Sequence, residues 1–333
     1  MKEKNRYFII DLFRFIAIIL MFITHTYRIQ ISNFIPETNS QLYIDNIFKF
    51  FMYIEPFTSA LFLFLVGFSI KMSLDKTNLD IKQWENNHIK KGLKLILASI
   101  LLYIPYHSFK INIYEIIFSS GILSVIGFSI IILTKLRKKN HLYFFLIVSI
   151  IISFLLEFFN TVVIGINAGV GNLLPTLLYS IIGFFSYELS KNKFNLISLL
   201  TIIIVVFLIN PNFRYTVDYN GTIFDLLSLK QESGVSSIWN HSLIGFLINS
   251  IILVFVSQFF LIKTKIKNNL ITTISKYSLQ MYIFHILLLS GFYITKIGFP
   301  NSIFTLIFLS ILIPICLNLS KIYIKIKNLL TNA

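Results

Sequence analysis

The chain has 333 residues, of which 56% are hydrophobic, 35 are Phe and only 13% are charged. A water-soluble domain is about 45–50% apolar and about a quarter charged, so this composition and a mean hydropathy of +0.79 exclude a soluble enzyme. The net charge of +15 does not signal nucleic acid, because that partner needs basic residues gathered on one solvated face, and here they are spread between long apolar runs. The one cysteine, Cys316, lies inside an apolar run, which leaves no disulfide framework and no thiolate metal site. The fold class expected is all-α, a polytopic integral membrane protein whose first partner is the lipid bilayer.

Runs of about 20 mostly apolar residues predict ten transmembrane helices in chain order. They fall at 8–28, 56–74, 92–108, 115–134, 141–160, 173–190, 194–210, 241–262, 275–296 and 302–320. One membrane-embedded domain over residues 1–333 is expected. Lys and Arg gather at residues 2–6, 71–94, 135–139, 191–193, 263–267 and 321–327, which together hold 21 of the 29. Every second connection is therefore basic. Basic loops stay in the cytosol, so both termini are expected there and the number of spans is even. The first run holds Asp11 and Arg14, and no small-residue cleavage site follows it; it reads as a span and not as a cleaved signal.

Ionisable side chains inside a span are costly and point to function by default. The first span is the richest, with Asp11, Arg14 and His25. On a helix turning about 100° per residue, Arg14 lies about 60° behind Asp11 and His25 about 40° behind it, so the three share one stripe. Asp11 and His25 are about 21 Å apart along the axis, which sets the charged pair near the cytosolic surface and the imidazole near the outer one. On the outer side His107, Glu157 and His241 join His25, with Glu55 at the start of the second span. On the cytosolic side His88, Lys90, Lys91 and Lys94 lead into the third span, and Ser275, Lys276 and Tyr277 into the ninth. His285 is expected near mid-membrane. A bland reading stands beside each: an Asp–Arg pair at i and i+3, topogenic lysines, and a histidine that only bonds between helices. No converging metal-ligand spacing, phosphate-binding glycine pattern or nucleophile elbow occurs, so no metal is expected.

The order Asp11, Arg14, Ala17 and His25 resembles the opening of the transmembrane acyltransferase superfamily, which includes the acyltransferase-3 and the heparan-glucosaminide N-acetyltransferase-like enzymes. Further segments are similar in order: SALFLFLVGFSIKMS (59–73) with Gly67, HIKKGLKLI (88–96), GILSVIGFSII (121–131), NLLPTLLYSIIGFFSYEL (172–189) and SKYSLQMYIFHILLL (275–289). The last resembles the late-span pattern SLxxYLxH. The acyltransferase-3 pattern carries two arginines three apart at the third span, where this chain has Lys91 and Lys94. Charge is kept there, without the bidentate grip of Arg on phosphate.

The resemblance implies transfer of an acyl group, acetyl by preference, from cytosolic acyl-CoA to an extracytoplasmic carbohydrate. The acceptor would be a glycan or lipid-linked glycan, and the setting a bacterial plasma or inner membrane. Arg14, Lys91 and Lys94 would hold the phosphates of CoA and His25 would be the catalytic base. Asp11, Glu55, Glu157 and His285 are further candidates, Glu55 or Glu157 as groups that orient the ring. A homo-oligomer is compatible with this reading. The residues alone leave two other classes open: a transporter or flippase for a polar or lipid-linked substrate, and a structural protein whose polar groups only pack helices.

Overall fold

A computed structural model describes residues 7–34, 46–106, 116, 120–159, 163, 166, 173–174, 176–191, 243–262, 268–295, 297–298 and 302–332. Among these there are nine helices and no strand. They are α1 (Phe8–Phe34), α2 (Asn46–Asp75), α3 (Ile81–Tyr106), α4 (Ile122–Lys135), α5 (Lys139–Phe158), α6 (Leu178–Lys191), α7 (Leu243–Ser257), α8 (Asn269–Thr295) and α9 (Ser302–Asn332). Each overlaps one of the ten expected spans; the tenth, 194–210, lies outside the described residues. Stretches long and apolar enough to cross a bilayer run over Phe8–Tyr27, Phe57–Asp75, Lys139–Leu156 and Ile303–Leu330. The chain is an all-α polytopic membrane protein.

Helix ends differ from the expected spans in a consistent way. α2, α3 and α8 begin well before residues 56, 92 and 275, and α9 runs on past residue 320 to Asn332. Apolar windows find only the part that matches the hydrocarbon core of about 30 Å, whereas backbone hydrogen bonding carries a helix on into the headgroup layer. The basic segments 81–94 and 321–327 are therefore helix, not loop. α4 begins later than expected, at Ile122, because Gly121 takes φ of 135°. That left-handed conformation suits glycine, and the Gly121 carbonyl accepts the Ser124 hydroxyl at 2.6 Å.

The chain divides into two compact units. The first holds residues 1–58, 101–111 and 262–333, and its frame is α1 packed on α8 and α9. α8 and α9 run antiparallel, since Phe292 meets Phe308 and Phe284 meets Tyr323. The second unit holds residues 59–100 and 112–261. Its interior is aromatic: Phe68 packs edge-on against both Tyr187 and Phe260, and Phe64 against Phe260. Glycines let helices touch there. A methyl on Gly67 of α2 would fall 1.7 Å from the Ser180 carbonyl oxygen of α6, and one on Gly183 would fall 2.0 Å from the Phe64 carbonyl oxygen. Gly92 and Gly127 make the same kind of contact between α3 and α4.

Ion pairs tie helix ends of the second unit. Lys71 bridges Asp75 and Glu188 at 3.0 Å each, Lys191 reaches Asp75, and Lys139 reaches Glu188. Glu85 near the start of α3 accepts from Lys135 and Arg137 at the turn between α4 and α5. Those two hydrogen bonds hold the Glu85 carboxyl below its ordinary range. A depressed folded value means that the contribution is complete above the ordinary carboxylate range and is lost as pH falls through the folded value. Glu85→Gln should therefore lower the thermal midpoint slightly at neutral pH, as exposed pairs do. Thermal scans of the two proteins in detergent should converge when repeated in acid.

Candidate functional site

α1 and α8 meet along one seam with a polar contact near each end. Asp11 is buried and accepts the Ser275 hydroxyl at 2.6 Å, while Arg14 stands 3.8 Å from the same carboxylate oxygen. Fourteen residues on, His25 Nδ1 lies 2.9 Å from His285 Nε2. Both residue numbers rise together along the seam, so α1 and α8 are parallel, as expected of the first and ninth spans in the sequence-based order. Ile18 and Phe22 lie on the same stripe between the two contacts, and both are fully buried.

The imidazole pair is stacked, with ring centroids 5.2 Å apart and planes 14° apart. Phe22 stacks on His285 from one side at 4.5 Å, and Tyr282 meets it edge-on. His25 is half-buried and His285 is fully buried. On either side of His25 the hydroxyls of Thr24 and Thr26 bond back to the carbonyls of Met21 and Phe22, which satisfies them within the helix. His285 Nδ1 is sealed from solvent and makes no hydrogen bond of ordinary geometry, although the carbonyls of Met281 and Tyr282 lie beside the ring.

The sequence puts His285 near mid-membrane and His25 near the outer surface; the structure brings them into contact. The reason is where the helices begin. α8 starts at Asn269, six residues before the expected 275, so His285 stands about 24 Å above its start and His25 about 26 Å above Phe8, at about 1.5 Å per residue. Equal rise on two parallel helices is the signal that a span boundary misplaced by under two turns conceals. The side chains of Glu55 on α2 and Glu157 on α5 lie outside the described residues, as do His107 and His241. Among the described residues no group of three or more His, Cys, Asp or Glu could hold a metal ion.

In the second unit the start of α3 carries His88, Lys90, Lys91 and Lys94. The Trp84 indole is buried and donates to Ser73 Oγ at 3.2 Å, and the His88 ring lies against it at 4.2 Å. His88 Nδ1 is 2.9 Å from the Trp84 carbonyl oxygen. A carbonyl only accepts, so Nδ1 carries the proton. Burial lowers the affinity of this imidazole for a second proton, the Lys91 charge adds to that, and the Trp84 carbonyl opposes it. Lys90, Lys91 and Lys94 are exposed and have no ion pair among the described residues, unlike Lys71, Lys135, Arg137, Lys139 and Lys191.

Comparison with curated proteins and with solved structures finds no match. A family model does match: an acyltransferase domain, over residues 7–320. That stretch includes both helices of the imidazole pair and the basic start of α3, and it sets the transporter and purely structural readings aside. The chain is a membrane acyltransferase and belongs to the acyltransferase-3 family.

Proposed function

We propose that the enzyme moves an acyl group, acetyl by preference, from cytosolic acyl-CoA to a carbohydrate acceptor on the far side of a bacterial plasma or inner membrane. The observation that carries this reading is the 2.9 Å contact between His25 Nδ1 and His285 Nε2. A general base works when one ring nitrogen is fixed and the other faces the reacting proton. With Nδ1–H of His25 donated to His285, Nε2 of His25 is the base. It takes a proton from the acceptor hydroxyl or amine as that group attacks the thioester carbonyl, and the thiolate of CoA leaves. His285 then faces the imidazolium that forms and steadies it through the same hydrogen bond, a positioning role. Asp11, held by Ser275 and near Arg14, anchors the other end of the seam.

Each unit supplies candidate phosphate ligands of its own: Lys91 and Lys94 on α3 in the second, Arg14 on α1 in the first. Arg14 and His25 are about 16 Å apart along the α1 axis, a distance within reach of an extended pantetheine arm. Because Ile18 and Phe22 fill the stripe between them, the arm runs beside that stripe and not along it. The test is direct. Protein in liposomes is given radiolabelled acetyl-CoA on one face and glycan acceptors on the other, and both label transfer and CoA release are followed. Transfer that needs both substrates is the expected result, and CoA release indifferent to every acceptor refutes the carbohydrate assignment.

A further inference from the structure

Within the second unit, α4 begins in the interior and not at a surface. Its last residue, Lys135, is ion-paired with Glu85, and Gly121 stands about 21 Å back along the axis, well inside a hydrocarbon core about 30 Å thick. Ser120, Gly121, Leu123 and Ser124 are all buried there. The first turn folds back on one acceptor: the Gly121 carbonyl takes the amides of Ser124 and Val125 and the Ser124 hydroxyl. No side chain caps the helix, and the amides of Ile122 and Leu123 reach no acceptor among the described residues. A helix start holds unmade N–H donors and the positive end of the dipole, and at membrane depth such donors are costly to leave unmet.

Two hydroxyls and a space accompany those donors. Ser120 is 5% exposed, and its Oγ makes no hydrogen bond among the described residues. Ser99 on α3 is 3% exposed and aimed at the same turn: its Oγ lies 3.4 Å from where a Cβ on Gly121 would stand. It too makes no hydrogen bond among the described residues. Nothing else among them comes within 4 Å of that Cβ position, whereas at Gly67, Gly92, Gly127 and Gly183 other atoms stand 1.7–2.8 Å away. The turn at Gly121 is a buried recess rimmed by neutral donors.

We infer that this recess holds the carbonyl oxygen of the acyl group and stabilises the negative charge it gains during transfer. The inference deepens the reading of the donor as an acyl thioester and rests on it. The neutrality of the donors decides the ligand. A full anion would leave water with no cation to meet it, which is costly in a medium of low polarity, but a carbonyl oxygen enters uncharged. When the acceptor oxygen or nitrogen attacks the carbonyl carbon, the C=O π pair moves onto the oxygen. Preorganised hydroxyl and amide donors are worth most at that moment. The pair then returns, the C–S bond breaks with its electrons leaving on the thiolate, and the acceptor's proton passes to the base.

Steady-state kinetics with acetyl-CoA, on the full chain in nanodiscs, tests the recess through kcat. Ser99→Ala and Ser120→Ala should each lower kcat about 10-fold or more with KM for acetyl-CoA little changed. Ser129→Ala is the control: Ser129 lies on α4 about 12 Å beyond Gly121, is fully buried and also has a hydroxyl with no hydrogen bond among the described residues. Its kcat should stay at the wild-type value. A second readout needs no turnover. A ketone analogue of acetyl-CoA, with a methylene in place of sulfur and an isotopic label at the carbonyl carbon, should show a downfield carbon resonance when bound to wild type. Ser99→Ala and Ser120→Ala should move it back toward the free value. Equal losses of kcat in all three variants overturn the assignment, as does a carbonyl resonance indifferent to both Ser99 and Ser120. A melting temperature that rises with bromide in place of gluconate, while kcat ignores both serines, marks a monovalent-anion site and overturns it as well. Analogue that binds without the shift sinks this site alone; analogue that fails to bind wild type sinks the donor reading and this assignment with it.

Discussion

His25→Ala should lower kcat for acyl transfer by about 10²–10⁴-fold, the usual worth of a positioned base, while the yield of folded protein stays near that of wild type. The ring is half-buried, and its neighbours Thr24 and Thr26 satisfy their hydroxyls within α1, so the helix does not depend on the imidazole for its own structure. His285 gives the sharper discrimination, because its tautomer follows from its surroundings. The carbonyls of Met281 and Tyr282 beside the ring repel a bare lone pair and favour a proton on Nδ1. That leaves Nε2 as the acceptor and makes His25 Nδ1 the donor, which is the arrangement a base at His25 Nε2 requires.

His285→Phe keeps the stacking on Phe22 and removes the acceptor, so it should lower kcat about 10-fold or more with little change in KM for acyl-CoA. His285→Gln restores an oxygen acceptor and should recover part of that loss. A merely structural histidine predicts another pattern, in which folded yield falls in step with activity and Gln gives no rescue. Steady-state kinetics on size-exclusion-purified protein separates the two.

Much of this is legible in the chain itself, for a reason that also limits it. Apolar runs are dictated by the thickness of the bilayer, so the existence of the spans at residues 8–28 and 302–320 follows from composition. Their partners do not. That Asp11 meets Ser275 and His25 meets His285 depends on where α8 begins, and a helix extending into the headgroup layer has no hydropathy edge to mark its start. The sequence shows His88 but gives it no role, because a histidine beside lysines looks like part of a topogenic cluster; only the Trp84 carbonyl at 2.9 Å separates it from them. Lys91 and Lys94 look equivalent at i and i+3, yet about 60° of helix rotation divides the side facing α2 from the side that bears Leu97 and Leu101. Gly67 stands out as a motif position, and Gly183 only as a break in an apolar run.

Those two glycines carry the largest structural prediction. Gly67→Ala or Gly183→Ala should cost the enzyme most of its folded yield. In a bilayer, apolar side chains gain nothing by leaving lipid for another helix, so close backbone approach and dispersion contacts carry much of the association. At this crossing each glycine lies on the other helix's carbonyl, with 1.7 Å and 2.0 Å where a Cβ would stand. Ordinary non-bonded contacts lie at about 3.5 Å or more, so the backbones would have to separate by about 1 Å or more. Overpacking that side chains can absorb costs about 1–3 kcal/mol; here the obstacle is backbone, and the cost should reach or exceed the top of that range. Separation would also disturb Phe64, Phe68 and Tyr187, whose rings pack beside the crossing. Gly291 is the internal control. A Cβ there meets nothing within 4 Å, and in mid-helix Gly→Ala stabilises by roughly 0.5–1 kcal/mol, so Gly291→Ala should leave yield and melting temperature unchanged or slightly raised. Equal losses at all three positions would mean that added bulk anywhere in the spans is the cause. Loss at Gly67 and Gly183 alone locates it at the touching backbones of α2 and α6.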